Sequence, residues 1–195
     1  MNLLKNIFAG IGMLAVLVML ILLYKLGPVY YSFSNFDKKA METYSALATD
    51  ILKTGNAAEA TVWKTKVEEG LSEADVEEAM RSVANELNIK NVGELPLSKQ
   101  IGAMTGKPFR YIKIFMFCNA LTAAKMVDYS DSFSAYLPCR VTLLKDKAGQ
   151  LWIYSLNMDL MIYGGLPLPP ALKEEAIKVK MIIQTIMRRG AAGEF

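Results

Sequence analysis

Residues 137–156, "LPCRVTLLKDKAGQLWIYSL", carry two apolar runs separated by a short polar turn. The first run, "CRVTLLKD", follows Pro138, and the second, "QLWIYSLN", follows the turn-forming residues 146–149. Two such runs joined by a short turn that contains Asp and Gly are typical of a β-hairpin. Residues 139–157 are therefore predicted to form a hairpin.

The segment 72–88, "SEADVEEAMRSVANELN", predicts an amphipathic helix. Ser72 is placed to cap its start, and acidic residues crowd the first turn, where they interact favourably with the helix dipole. Four apolar residues recur at helical spacing: Val76, Met80, Val83 and Leu87. This stripe indicates a helix with one buried face.

Further strands and helices are predicted along the rest of the chain. The strands cover 58–70 and 109–118, and the helices cover 35–54, 97–106 and 119–130. This order of elements indicates an α+β domain with a small sheet faced by helices.

Two of these helices carry signals at their ends. Ser34 with Asp37 is expected to cap the helix over 35–54, and Gly55 is expected to end it. The final helix is predicted to begin at the prolines of "LPLPP" and to run through Arg189, with Gly190 as its stop.

Composition excludes several classes of function. The chain of 195 residues has 22 basic and 19 acidic residues, a net charge of +3, and no histidine. Scattered lysines that alternate with acidic residues do not form a nucleic-acid footprint, so no nucleic-acid partner is expected. Without histidine, Ser-His-Asp triads, Cys-His dyads and His-ligated metal or haem sites are excluded.

The amino-terminal segment 6–24, "NIFAGIGMLAVLVMLILLY", carries no charge between Lys5 and Lys25. Nineteen helical residues span about 28 Å, close to the hydrocarbon thickness of a bilayer. A signal peptide is the alternative, but residues 22–26 are Leu-Leu-Tyr-Lys-Leu where small residues would be expected before a cleavage site. We therefore expect one transmembrane helix ahead of the α+β domain.

Aromatic side chains follow this apolar segment around Gly27 and Pro28, where a break in the helix is expected. Such rings suit the headgroup region of a membrane, although they could also pack on the domain. The residues assigned to this interface are Tyr24, Lys25, Tyr30, Tyr31, Phe33 and Phe36. The chain is expected to divide into an anchor (1–27), an aromatic collar with a linker helix (28–57), the α+β domain (58–190) and a tail (191–195).

Four stretches of the domain follow one another in a specific order and spacing: "TVWKTKVEEGLSEADVEEAMRSVANELN", "IFMFCNALTAAKM", "LPCRVTLLKDKAGQLWIY" and "NMDLM". In these stretches the chain resembles the DUF302 family, and the resemblance covers 61–190. Many members have Pro after the strand-end Asn, where this chain has Ala120. The resemblance implies the fold and often an oligomer, but no agreed reaction. Because exported members are common, it also favours a domain outside the cytoplasm.

The chain's two cysteines, Cys118 and Cys139, end one predicted strand and begin another. If those strands are neighbours, both thiols lie at the same end of the sheet. A disulfide between them would stabilise the fold by about 3 kcal/mol in an oxidising compartment, whereas in a reducing one they would pack as small apolar groups. The chemical alternative is a copper(I) site formed with Met116, Met158 or Met161.

Polar residues near the cysteines define a candidate ligand pocket. Its predicted members are Asn119, Arg140, Asn157, Asp159 and Tyr163. Four of them also have a structural interpretation: the Asn and Asp side chains often cap turns, and an arginine at a strand end often forms a surface ion pair.

These features favour a non-catalytic, single-pass subunit or accessory protein of a larger membrane complex. The expected location is the bacterial inner membrane, with the domain in the periplasm, and the expected partners are lipid, other subunits and a second copy of the chain. No cofactor is expected in this interpretation. The alternative is a tethered binding or redox module that holds a small ligand, copper or haem near the cysteines, with Met, Cys or Tyr as haem ligands.

Overall fold

The computed structural model describes residues 2–195, with side chains described from Lys5 onward. The chain begins with one long helix, α1 (Asn2–Ser34), which is followed by α2 (Ala40–Thr54) and the short α3 (Ala57–Ala60). The remaining elements are β1 (Val62–Lys66), α4 (Glu73–Glu86), β2 (Lys90–Leu95), α5 (Leu97–Thr105), β3 (Ile112–Cys118), α6 (Ala120–Tyr129), a 3₁₀ helix (Asp131–Tyr136), β4 (Cys139–Lys145), β5 (Leu151–Leu156), α7 (Asp159–Tyr163) and α8 (Pro170–Ala191).

The five strands form one antiparallel sheet in the order β1-β5-β4-β3-β2. The predicted hairpin is its centre: β4 and β5 pair with Val141 opposite Ser155 and Leu143 opposite Ile153. The α+β class and the small sheet faced by helices are both confirmed.

One face of the sheet carries the main hydrophobic core. Phe115, Phe117 and Leu143 point toward α4 and α8 and are fully buried. The side chains that alternate with them in β3, β4 and β5 lie on the opposite face and stay half-buried; they include Ile112, Ile114, Met116, Leu144, Trp152 and Tyr154. The sheet therefore leaves a broad, partly exposed apolar face.

Helix α4 forms as the sequence predicts. Ser72 and Asp75 make a reciprocal capping box, in which each side chain accepts a hydrogen bond from the other residue's backbone amide. Val76, Met80 and Val83 are completely buried, and Leu87, half-buried, follows the last helical turn.

One predicted strand of the domain has the wrong bounds, and one strand was not predicted. The segment 58–70 is not one strand, because its first residues form α3, which Asn56 caps, and β1 is shorter. The strand β2 was not predicted at all, since its sequence, "KNVGEL", is polar and contains a glycine. It forms by pairing with β3, with a bulge between Asn91 and Gly93.

Gly190 does not end the last helix, which continues to Ala191. A Cβ at Gly190 would lie 2.5 Å from Cγ of Met80, so this glycine allows α8 to approach α4 closely. The residue with positive φ near the end of α8 is Gly193 instead. Gly55 does end α2, with φ of 65°.

Helix α1 continues through Pro28 to Ser34, so the expected break at Gly27–Pro28 is absent. Within it, Lys5–Ser34 is long and apolar enough to cross a membrane, and none of its most apolar stretch is buried in the protein. A signal sequence satisfies the same criteria of length and composition. Helix α2 begins at Ala40 rather than at residue 35, so Ser34 and Asp37 do not form its predicted cap. Ser34 ends α1, while Asp37 accepts the backbone amide of Lys39 with Oδ1 and forms an ion pair with Lys173 of α8 through Oδ2.

Candidate functional site

A small cavity lies where the end of β3 and the start of β4 meet α6, α7 and α8. Its volume is about 40 Å³. Five sulfur-bearing residues share its wall: Cys118, Met126, Cys139, Met158 and Met161. We call this the sulfur cavity; the rest of its wall is almost entirely apolar, and among its described lining residues only the two thiols are titratable.

The strand register explains why the two cysteines meet here. In the β3–β4 pair Phe117 is opposite Cys139, which places Cys118 one residue beyond that pair at the same end of the sheet. Cys139 contacts both the main core and a second apolar cluster, to which Met126 and Met158 belong. Both cysteines are free thiols in this structure.

Burial makes both thiols weak acids. It raises the pKa of Cys118 above its ordinary value. For Cys139, burial and the neighbouring charge of a Cys118 thiolate together raise the pKa to about 11. Neither thiol is therefore activated as a nucleophile at neutral pH, since nucleophilic cysteines depend on a lowered pKa.

Asn119 also borders the sulfur cavity, but its side chain has a structural role. Its Oδ1 accepts hydrogen bonds from the backbone amides of Leu121 and Thr122, at 3.2 and 3.1 Å, and so caps α6. Thr122 in turn donates its hydroxyl to Glu175 of α8. The polar groups on this wall are thus engaged with other parts of the protein.

The other predicted pocket residues do not join Asn119. Arg140 is exposed, and its carbonyl accepts the hydroxyl of Ser155. Asn157 and Asp159 line a second cavity of about 280 Å³, beneath α2, where Oδ1 of Asn157 accepts the amide of Asp159. Met116, considered as a metal ligand, contacts Gly93 of β2 and is not among the residues that line the sulfur cavity.

Tyr163 is buried and surrounded by lysines rather than open to a ligand. The Nζ atoms of Lys39, Lys173 and Lys180 lie 5.2, 5.4 and 5.4 Å from the centre of its ring. Cations at this distance are attracted to an aromatic face. Lys180 also forms an ion pair with Asp159, so the carboxylate of Asp159 is neutralised by a neighbouring side chain.

The segment between α1 and α2 is fixed to the domain by a set of contacts that we call the clamp: Asp37, Tyr44, Gly164, Gly165 and Lys173. Asp37 is only 5% exposed; it pairs with Lys173, and its backbone amide donates to the carbonyl of Gly165. The hydroxyl of Tyr44 donates to the carbonyl of Gly164 at 2.5 Å. The clamp thus holds the end of α1 close to α7 and α8.

The aromatic residues near the end of α1 form two groups. Tyr24, Tyr30 and Tyr31 are exposed on α1. Phe33 is half-buried, with its ring centroid 5.1 Å from that of Phe36 and 6.0 Å from that of Tyr44. The rings nearest the domain therefore pack beside the clamp, while the three tyrosines remain free for an interfacial position.

A charged network, missed in the sequence, joins α4 to β2 and β3. Its members are Glu77, Arg81, Glu94, Tyr111 and Lys113. Arg81 reaches Glu94 at 2.7 Å, and Lys113 reaches Glu77 and Glu94 at 2.7 and 2.8 Å. The i,i+4 spacing of Glu77 and Arg81 was a visible signal, but their partner Glu94 lies in the unpredicted strand β2.

The network changes the pKa values of its carboxyl groups. Hydrogen bonds from Arg81 lower the pKa of Glu94 to about 2, against the opposing effect of burial. For Glu77, burial acts to raise the pKa, but hydrogen bonds from Lys113, Tyr111 and Arg81 outweigh it, and the pKa is lowered. Both carboxylates are therefore ionised at neutral pH and bind α4 to the sheet.

No group of three or more His, Cys, Asp or Glu side chains in the described part of the chain is arranged to hold a metal ion. The sulfur cavity differs from such a group, because three of its five sulfur-bearing side chains are thioethers. Soft sulfur donors are therefore the only ligand set that this cavity offers among the described residues.

The fold and the family are shown by comparison with known proteins. The chain is an α+β protein of the type seen in the crystal structure of an uncharacterized conserved DUF302 protein from Bacillus stearothermophilus, with a TM-score of 0.53 and 16% sequence identity. That similarity covers 66% of this chain and 97% of the other. Residues 63–190 match the model of DUF302, a domain of unknown function, and the chain belongs to this family. No curated protein matches the chain.

Proposed function

We propose that this DUF302 protein is a non-catalytic, single-pass subunit or accessory protein of a larger membrane complex. Helix α1 crosses the bilayer, and the α+β domain covers or bridges the assembly at one face of the membrane. The observation that carries this proposal is the combination of α1, apolar and exposed along its length, with the clamp that fixes its end to the domain.

The clamp favours a subunit over a domain on a loose tether. A flexible linker would let the domain move independently of its anchor. Here the buried Asp37, three residues after the end of α1, pairs with Lys173, and Tyr44, ten residues after it, donates to Gly164. A domain held in this way keeps a defined orientation to the membrane, which suits docking against fixed neighbours.

The half-exposed face of the sheet supplies a surface for those neighbours. Trp152, Tyr154 and Leu144 lie on it among other apolar side chains. Contiguous apolar patches on a protein surface often mark interaction sites, and aromatic residues are enriched in them. This face suits another subunit or a second copy of the chain.

The proposed location is the bacterial inner membrane, with the domain in the periplasm. Tyr24, Tyr30 and Tyr31 would lie in the headgroup region on that side. A non-catalytic role agrees with the protonated thiols and with polar side chains that are engaged in caps and ion pairs.

Purification of the tagged full-length protein from its native membrane in mild detergent, followed by mass spectrometry, tests the proposal. We expect other membrane proteins to be recovered with it at a constant ratio. Tyr154→Lys on the open sheet face should reduce that recovery, whereas Gln184→Lys on the exposed side of α8 should not. Recovery of the intact protein alone, as a monomer, would contradict the proposal.

A further inference from the structure

We propose that the sulfur cavity binds one copper(I) ion, with the thiol of Cys139 and the thioethers of Met126 and Met158 as its principal ligands. Cys118 and Met161 complete the wall around the ion. The cavity's lining residues are distant in sequence from α1 and from Asp37 of the clamp. Copper binding at this site therefore does not depend on whether the protein is a subunit of a complex.

The ligand chemistry of the cavity selects a soft metal. Its oxygen-bearing side chains are occupied, because Asn119 caps α6 and Thr122 donates to Glu175. The groups that remain are two thiols and three thioethers, and this set favours copper(I) over harder ions. Zinc is disfavoured, because it usually takes four ligands from thiolate, imidazole and carboxylate groups. Among the described residues of this wall, the two cysteine thiols are the only groups of these types.

The charge balance also fits a monovalent ion. None of the described residues that line the cavity has a charged side chain, so an uncompensated charge there would be costly. When copper(I) binds, one thiol loses its proton to solvent, and the pair of Cu⁺ and thiolate is neutral. Neutral thioethers then add coordination without adding charge. Cys139 is the residue assigned to the thiolate because it contacts the cluster that contains Met126 and Met158.

The size of the cavity limits what it can hold. A single water needs a cavity of roughly 10–15 Å³, and sites for small organic ligands are usually about 300–1,000 Å³. At about 40 Å³ the sulfur cavity accommodates an ion. A haem or another organic cofactor would require the surrounding helices to separate. This favours copper over haem.

Two structural features would keep the ligands in place. Met126 lies on α6, whose start is fixed by the Asn119 cap, and Cys139 begins β4 opposite Phe117 in the sheet. Met158 directly precedes α7 and is buried in the second apolar cluster. Ligands on regular elements are held more rigidly than ligands on loops, so the site needs little rearrangement to bind the ion.

Anaerobic titration of the full-length protein in detergent with copper(I), against a coloured chelator of known affinity, tests this proposal. We expect one copper per chain. Cys139→Ser should weaken binding by at least about 100-fold, and the pair Met126→Leu and Met158→Leu by about 10-fold or more. Loss of a residue that only supports a metal ligand typically costs about 10–100-fold, and loss of a ligand should cost at least as much. Met104→Leu, at a position 81% exposed on α5, is the matched control and should bind as the wild type does.

A second measurement does not depend on the stability of the variants. Bound copper(I) should protect Cys139 of the wild-type protein from alkylation, as read by mass spectrometry, and equimolar zinc should protect it much less. Equal affinity in the wild type and Cys139→Ser would show adventitious copper only and overturn the proposal. Failure to outcompete the chelator would also overturn it. The recovery of partner proteins is measured in a separate experiment. A negative copper result therefore overturns the copper site without deciding whether the protein is a complex subunit.

Discussion

Asp37 and Lys173 form a buried ion pair that links the segment after α1 to the last helix of the domain, 136 residues away. Burial acts to raise the pKa of Asp37, but hydrogen bonds from Lys173 and from the amide of Lys39 outweigh it, so the pKa lies below its ordinary value. The carboxylate is thus held in its charged form at the junction between anchor and domain.

Replacing Asp37 with Asn should loosen this junction. The variant keeps an acceptor for the Lys39 amide but leaves Lys173 without its carboxylate. A buried hydrogen-bonding group left without its partner costs about 1–3 kcal/mol, and this range applies here because the Lys173 side chain is 29% exposed. We expect faster tryptic cleavage at Lys38 and Lys39 in the detergent-solubilised protein. Asp50→Asn, at an exposed position of α2, should be cleaved at the wild-type rate. Equal cleavage of Asp37→Asn and wild type would show that the clamp does not hold the anchor.

Stability at acid pH should depend on Glu94, whose side chain is 24% exposed. Its pKa is about 2 in the folded protein and 4.5 ordinarily, so between these values the unfolded state binds more protons. The ionised carboxylate therefore stabilises the folded state above about pH 4.5, and this contribution is lost as the pH falls toward 2. Its contribution to the free energy of unfolding is at most about 3 kcal/mol. Unfolding of Glu94→Gln should therefore depend less on pH over that window. Glu78→Gln on the exposed side of α4 is the control and should keep the pH dependence of the wild type. If the free energy of unfolding of Glu94→Gln depends on pH as steeply as that of the wild type, the network is contradicted.

Gly190→Ala should destabilise the domain, because the new methyl group would meet Cγ of Met80 at 2.5 Å. Overpacking of this kind typically costs about 1–3 kcal/mol. Gly102→Ala in α5 is the matched control. Its added Cβ would meet nothing closer than 3.6 Å, so the higher helix propensity of Ala should leave stability unchanged or slightly raised. Thermal unfolding of both variants would compare them directly, and equal midpoints would refute the close α4–α8 contact.

The cysteines should react slowly in the folded protein. With a pKa of about 11, only about 0.1% of Cys139 is thiolate at pH 8, and thiolate is the reactive form. Iodoacetamide should therefore modify Cys139 slowly at pH 8 and faster as pH is raised, with rapid labelling in denaturant alone. If labelling in denaturant also requires a reductant, the cysteines form a disulfide in the isolated protein.

The parts of the fold that were predicted are those that local sequence determines. The β4–β5 hairpin follows from its turn, and α4 follows from Ser72 and the stripe that includes Val76 and Met80. Strand β2 could not be predicted, because its polar sequence becomes a strand only through pairing with β3. Gly190 was misinterpreted for a similar reason: its role depends on Met80, which is distant in sequence.

The candidate site was predictable only in part. The neighbourhood of Cys118 and Cys139 follows from adjacent strands, and Met158 was recognised as a sulfur donor beside them. Met126 was not, because it lies on α6, and the packing of that helix over the end of β3 is a tertiary contact that no local pattern specifies. The predicted polar residues do not converge, because Asn119 caps α6, Asn157 accepts the amide of Asp159, and the carboxylate of Asp159 pairs with Lys180 of α8.

The most direct test of the account is the intact mass of the native protein recovered from alkaline-washed membranes. A retained anchor predicts that the protein stays in the washed membrane and that its mass includes all of α1 (Asn2–Ser34). A protein released by the wash, with a mass that lacks the apolar segment, would show that α1 is a signal sequence and would contradict the proposal of a membrane-anchored subunit.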